Sequence, residues 1–180
     1  MKHPARWVAS SVGVGVACIA VVLALNVGKD PRADAQHSRL VGQKVPTFDL
    51  PTATGQRVSN ASLAGKTVIV NFWNSWCPPC LQELPALKAY YAQHANEPDL
   101  VLLGIARDDT DGAIRQAMKT DGIGWTVAFD PDAKAALAFA TRGQPETYVI
   151  GPDGVIAASE YGAVTTGDLD TMVAAARGRA

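Results

Sequence analysis

Apolar residues come in three different rhythms along this chain. From Trp7 to Val27 there are 21 consecutive residues without a charge, long enough to span a bilayer as a helix. From Thr67 to Trp73 a shorter run rich in Val, Ile and Phe predicts a buried strand, and Leu100 to Ala106 repeats the pattern. Such near-continuous apolar strands are expected where a sheet is covered on both faces. Between these two runs the spacing changes to a helical one. Leu84, Leu87 and Tyr91 share one face of a helix expected from about Pro78 to Ala95. Pro85 lies inside it, where its ring meets the carbonyl of Leu81 and kinks the helix.

Turn and cap residues order the rest. Phe48-Asp49-Leu50 and Arg57-Val58-Ser59 flank Thr54-Gly55-Gln56 and predict an N-terminal β-hairpin. Ser59-Asn60 caps a short helical turn ending at Gly65. Asp109 or Thr110 caps a helix to about Thr120, and Thr126 to Phe129 is a short strand. Asp130-Pro131-Asp132 opens an alanine-rich helix to about Thr141. Tyr148 to Ile150 and Val155 to Ser159 flank Gly151-Pro152-Asp153-Gly154, a hairpin signal. Thr166 to Asp168 then caps a last helix to about Arg177. Hairpin, βα units, hairpin and helix make an α/β fold, without internal repeats.

The candidate chemistry sits where the first buried strand meets its helix, at Trp76-Cys77-Pro78-Pro79-Cys80. A helix start offers unpaired N–H groups and a dipole that favour an anion, and here that anion is a thiolate, the reactive form of cysteine. Residues three apart on a helix lie within reach of a disulfide. The pair therefore reads as a redox site, with Cys77 the nucleophile and Cys80 the resolving thiol one turn deeper. A zinc site would need two more ligands, and only Cys18, His3, His37 and His94 are available, widely scattered. Haem attachment would need a histidine where Leu81 stands. A static structural disulfide closing so short a loop would constrain the unfolded chain little. No metal and no cofactor is expected.

The 180 residues carry a formal net charge of −1, and no basic run argues for nucleic acid. The organisation expected is a short cytoplasmic tail at 1–6, a transmembrane signal anchor at 7–27, a polar linker at 28–40 and the catalytic domain at 41–180. Two alternatives to the anchor remain: a signal peptide cleaved near Ala33-Asp34-Ala35, and a lipoprotein acylated at Cys18. Each puts the domain outside the cytoplasm. Two cysteines in the soluble part, both in one motif, suit a dedicated redox catalyst better than a disulfide-stapled domain.

Val68 to Cys80 resembles the active-site strand and helix of thioredoxin-like proteins, with Pro85 matching that helix's kinking proline. Gly143-Gln144-Pro145-Glu146-Thr147-Tyr148 looks like the family's cis-proline loop. With the N-terminal hairpin and export segment, the chain is similar to membrane-anchored thiol–disulfide oxidoreductases of the ResA, TlpA and CcmG (DsbE) kind. That resemblance implies a thioredoxin fold with an N-terminal β-hairpin extension and a central insertion between about Gly122 and Arg142. It implies a cis Pro145 beside Cys77, with the backbone of Gln144 pairing an extended client segment and Trp76 bordering the site. Asn71 stands where cytosolic thioredoxin has a buried aspartate, and Glu83 is the replacement that ResA-like relatives suggest as proton acceptor for Cys80. Glu146 follows the CcmG-like Pro-Glu-Thr pattern and shapes the cleft.

The function expected is a monomeric, membrane-tethered reductase of disulfides in exported proteins such as apocytochrome c, recharged by a membrane electron-donor thiol protein. The alternative is an oxidant that introduces disulfides into exported proteins. Pro78 and Pro79 favour the reductase, because neither has an N–H or a charge to stabilise the Cys77 thiolate. A copper-handling module would pair the cysteines with a downstream histidine, and none occurs after His94. A peroxidase would need Pro and Thr at the positions of Val70 and Asn74.

Overall fold

The computed structural model describes Val21 and residues 38–178. The expectations at 1–6, for the anchor at 7–27, for Cys18 and for most of the linker lie outside the described residues, Val21 excepted. Among the described residues no helix is long and apolar enough to cross a membrane.

Two short strands, β1 (Asp49–Pro51) and β2 (Arg57–Ser59), form the expected antiparallel hairpin. The main sheet contains β3 (Thr67–Trp73), β4 (Leu100–Arg107), β5 (Thr126–Asp130), β6 (Glu146–Ile150) and β7 (Ile156–Tyr161). Its order is β5-β4-β3-β6-β7. β3, β4 and β5 run parallel, and β6 and β7 antiparallel to their neighbours. Four helices complete the chain: α1 (Pro78–Gln93), α2 (Asp111–Asp121), α3 (Lys134–Ala138) and α4 (Thr166–Arg177).

All seven residues of β3 are buried, and strand alternation sorts them between two cores. Ile69 and Trp73 pack with Leu87 and Tyr90 of α1, Ile114 of α2 and Leu169 of α4. Val68, Val70 and Phe72 pack with Leu50 and Val58 of the hairpin and Ala135 and Ala136 of α3. The uninterrupted apolar run is thus the signature of a strand with a layer on either side. Each fully buried aliphatic side chain contributes roughly 1.5–3 kcal/mol. That investment fixes the end of β3, and with it the start of α1.

Several expected boundaries move for local reasons. Thr110 caps α2, its Oγ1 accepting the Ala113 N–H at 3.2 Å. Thr165 caps α4 through a capping box with Asp168, one residue earlier than expected. Of Ser59-Asn60, Ser59 caps the short turn, its Oγ accepting the Ser62 N–H at 3.4 Å, while the Asn60 side chain binds the Phe48 N–H at 2.7 Å and the Pro46 carbonyl at 3.0 Å. The alanine-rich helix is much shorter than its composition suggests. Both Ala133 and Ala140 take left-handed φ of 52°, and Asp130 reaches past the first break to accept the Ala135 and Ala136 N–H groups at 3.1 and 2.8 Å. With β5, this short helix makes up the segment expected as the insertion.

Gly104 pairs with Asn71 in the middle of the β3–β4 ladder. A Cβ there would lie 2.9 Å from Trp73 Nε1, closer than packing allows without a shift. Gly104→Ala is expected to destabilise the fold by about 1–3 kcal/mol through overpacking. A denaturation midpoint unchanged from wild type would show that Trp73 moves aside freely.

Candidate redox site

β3 stops at Trp73, and the chain turns through Asn74, Ser75 and Trp76 before Cys77 caps α1. Cys77 has extended backbone (φ −89°, ψ 106°), and its sulfur accepts the Cys80 N–H at 3.2 Å. Pro78 and Pro79 occupy the first two helical positions, where a proline loses nothing because those N–H groups have no helical acceptor. The consequence is that the first N–H directed at the Cys77 sulfur is that of Cys80. The two cysteines form a disulfide across a Cα–Cα distance of 5.3 Å.

Both cysteines are buried, Cys77 3% and Cys80 5% exposed. By exposure the two are alike; Cys80 lies one turn into α1 from the Cys77 cap, and their surroundings differ. Cys80 lines a small cavity with Asn71, Trp73, Glu83, Leu84 and Trp125 among others, and Cys77 is not part of that lining. Trp76 beside it is 60% exposed, with its Nε1 donating to the Asp108 carbonyl at 3.1 Å. Asp109 holds the same loop from below: its Oδ2 accepts the Ser75 N–H at 2.8 Å and the Ser75 hydroxyl at 2.7 Å.

Glu83 is 2% exposed. Its Oε1 accepts the Asn71 side-chain N–H at 2.8 Å and its Oε2 the Val164 N–H at 3.0 Å. Asn71 also donates to Thr147 Oγ1 at 3.1 Å. Burial raises the Glu83 pKa from 4.5 to about 7, and the bonds from Asn71 and Val164 oppose the rise. A carboxyl group in this range exchanges its proton near neutral pH.

The Gln144–Pro145 peptide is cis. Phe72 pairs with Glu146 across the β3–β6 ladder, which brings this loop to the end of the sheet where α1 begins. Glu146 is fully buried. Its carboxylate accepts the Arg142 N–H at 2.8 Å and the Arg142 guanidinium at 3.1 Å, closing the loop around Gln144. Arg142 in turn stacks over the Tyr161 ring at 4.6 Å. Glu146 thus ties the loop before the cis proline through Arg142, a partner the sequence reading did not find. Asp109, Trp125 and Val164 were missed as well. Their links to the site cross 34 to 81 residues of chain and leave no local pattern. Among the described residues no three His, Cys, Asp or Glu side chains cluster as a metal site.

Residues 41–159 match the AhpC/TSA family. The chain belongs to that family. It is 29% identical over 124 residues to the thiol–disulfide oxidoreductase ResA of Bacillus subtilis, covering 69% of each chain. It is 34% identical over 122 residues to the thiol:disulfide interchange protein DsbE of Pseudomonas aeruginosa, covering 66% of this chain and 65% of that one. Its fold matches a crystal structure of a DsbE-type interchange protein from Chlorobium tepidum with a TM-score of 0.68 at 27% identity, over 74% of this chain and 94% of that one. The protein is a thioredoxin-fold thiol–disulfide oxidoreductase, and the Cys77–Cys80 pair is the redox-capable feature of its fold.

The raised Glu83 pKa has a consequence for stability. Below about pH 4.5 the carboxyl is protonated in both folded and unfolded chains. Between about 4.5 and 7 the folded chain alone keeps the proton, so the stability Glu83 contributes falls as pH rises through that window and levels off above it. At 1.36 kcal/mol per pH unit the fall is on the order of 3 kcal/mol. Urea unfolding of the oxidised protein from pH 4 to 8 should show this decline in wild type and lose that component in Glu83→Gln. Parallel pH profiles for the two proteins would mean that Glu83 titrates normally.

Proposed function

We propose that this chain reduces disulfides in exported proteins, apocytochrome c among them, from the extracytoplasmic face of a membrane to which its N-terminus tethers it. The observation that carries the reading is the sulfur of Cys77 at the cap of α1, served, among the described residues, by the Cys80 N–H alone. Cys77 is the nucleophile: its thiolate attacks a client disulfide, forms a mixed disulfide and releases one client thiolate. Cys80 then attacks the Cys77 sulfur, the client leaves as its second thiolate, and the Cys77–Cys80 disulfide remains. A membrane electron-donor thiol protein restores the dithiol.

Glu83 takes the Cys80 proton before that second attack. Its support is a buried carboxyl on the same helix, one turn from Cys80, with a pKa raised to about 7. Gln144, half-buried before the cis Pro145, offers its backbone to an extended client segment, a form of strand addition. Trp76 supplies an exposed aromatic face at the rim. The reducing direction is supported by Pro78 and Pro79, which withhold two amide donors from the Cys77 thiolate. A less stabilised thiolate means a more stable disulfide and a lower potential. The export reading is supported by the uncharged stretch from Trp7 to Val27 behind Lys2 and Arg6.

The division of labour between the cysteines is testable by trapping. Cys80→Ala should accumulate mixed disulfides on Cys77 in cells, and Cys77→Ala should accumulate none. Apoproteins with haem-attachment cysteines are expected among the captured clients. Equal capture by both variants would contradict the assignment of nucleophile and resolver, and a captured set without such apoproteins would remove the cytochrome assignment.

A further inference from the structure

Two loops flank the redox pair, and one side chain reaches both. The sheet order β5-β4-β3-β6-β7 puts the loop after β4 on one side of the end of β3 and the cis-proline loop before β6 on the other. On the β4 side the Trp76 indole N–H donates to the Asp108 carbonyl at 3.1 Å. The cis-proline loop begins at Thr141, whose hydroxyl donates to the Ala136 carbonyl at 3.1 Å, and Arg142 closes it onto Glu146. Arg107, the last residue of β4, joins the two. Its Nη1 donates to Thr141 Oγ1 at 2.7 Å, while its Nε and Nη2 hold Asp108 Oδ2 at 2.8 and 2.7 Å.

Three features set this tie apart from an ordinary surface ion pair. Arg107 springs from a fixed base, paired with Asp130 across the β4–β5 ladder, and its side chain is only 19% exposed. A guanidinium is a rigid planar fork, so the group held at one end fixes the direction of the donor at the other. Asp108 has left-handed backbone, with φ 53°, a conformation that costs free energy in a residue other than glycine and persists where surrounding contacts hold it. The grip of Arg107 on the Asp108 carboxylate is such a contact, and the same residue presents its carbonyl to the indole. Ala140, immediately before Thr141, is left-handed as well, with φ 52°. Arg107 thus braces two irregular segments at once.

We propose that Arg107 is a positioning residue for the client: by tying Asp108 to Thr141 it holds Trp76 and the Gln144–Pro145 loop at a fixed spacing, a role that rests on the proposed client path across Trp76 and Gln144. An extended, disulfide-bearing protein segment then meets a cleft already in its bound shape. Holding a loop in that shape beforehand spares the complex the cost of ordering it. A client that spans both rims gains from this, whereas a small disulfide that engages the Cys77 sulfur alone does not. Arg107 acts through the two rims and takes no part in the exchange of sulfur bonds. An ion pair as accessible as Arg107–Asp108 adds little to stability, so its effect falls on client binding rather than on the fold.

Arg107→Met keeps the apolar stem and removes the donors, and Thr141→Val removes the acceptor at the far end. The pre-reduced full chain is mixed in single turnover with a peptide whose disulfide joins two cysteines three apart, and separately with dithiodipyridine. Each variant should raise the half-saturating peptide concentration roughly tenfold, the scale of one lost charge-assisted hydrogen bond. The limiting rate and the rate toward dithiodipyridine should stay at wild-type values. The double variant should be no worse than either single one, since both cut the same tie. Arg107→Lys should not restore binding, because one ammonium cannot span Asp108 and Thr141 together; full restoration would overturn the geometric role. Equal slowing toward peptide and dithiodipyridine would reveal a general distortion and overturn it too. Trp76→Ala separates this role from the client path beneath it. No change in half-saturation for Trp76→Ala would sink the path and the brace together, whereas a rise there without one in Arg107→Met would overturn the brace alone.

Discussion

The hydrogen bond from the Cys80 amide to the Cys77 sulfur joins the end of the sheet to the start of α1, and the chemistry depends on that junction. It exists because β3 is buried on both faces and cannot slip: Ile69 and Trp73 belong to one core, Val68, Val70 and Phe72 to the other. A shift of one residue would exchange the two sets. With β3 fixed, the turn through Ser75 is fixed by Asp109, and Cys77 has one place to be. Two prolines then begin the helix and remove the amides that would otherwise crowd around its sulfur.

The same register sets the acid–base side of the site. Asn71 lies mid-strand, between Gly104 on one neighbour and Thr147 on the other. Its amide reaches Glu83 on α1 and Thr147 on β6. A neutral amide in that position cannot hold a proton, but it can hold a carboxyl that does. Burial makes Glu83 reluctant to ionise, while the two N–H donors limit the rise. The site thus divides its work. In the proposed mechanism the cap of α1 sets how willing Cys77 is to be a thiolate, and the carboxyl one turn beyond Cys80 serves as acceptor for the Cys80 proton. The two are adjustable separately.

Much of this was legible in the residues, and the boundary of legibility is physical. Runs such as Thr67 to Trp73 announce a strand with two covered faces, and Cys77-Pro78-Pro79-Cys80 announces its chemistry by spacing alone. Glu83 is implied by the resemblance to ResA-like proteins, as the replacement for the acid missing at Asn71, and not by any local pattern. Contacts that cross the fold were not reachable in this way. Asp109 and Thr110 both look like helix caps by local rules; Thr110 does the capping, and that the Asp109 carboxylate serves Ser75 across the fold is not a local property. The alanines after Lys134 look like a long helix because propensity is additive along a run. They are cut short by left-handed turns at Ala133 and Ala140 that no composition reveals. Trp125 has no sequence signal for its place beside Cys80, because that place is made by β5 lying against β4 across Gly104.

The reduction potential of the Cys77–Cys80 pair, measured by equilibrating residues 38–178 with thiol buffers, most directly tests the link between the capped thiolate and the direction of electron flow. Proline at both intervening positions and a single amide donor predict a reducing pair, near the roughly −270 mV of thioredoxin. A value near the about −120 mV of DsbA would mean a strongly stabilised thiolate, contradict that link and make the protein an oxidant.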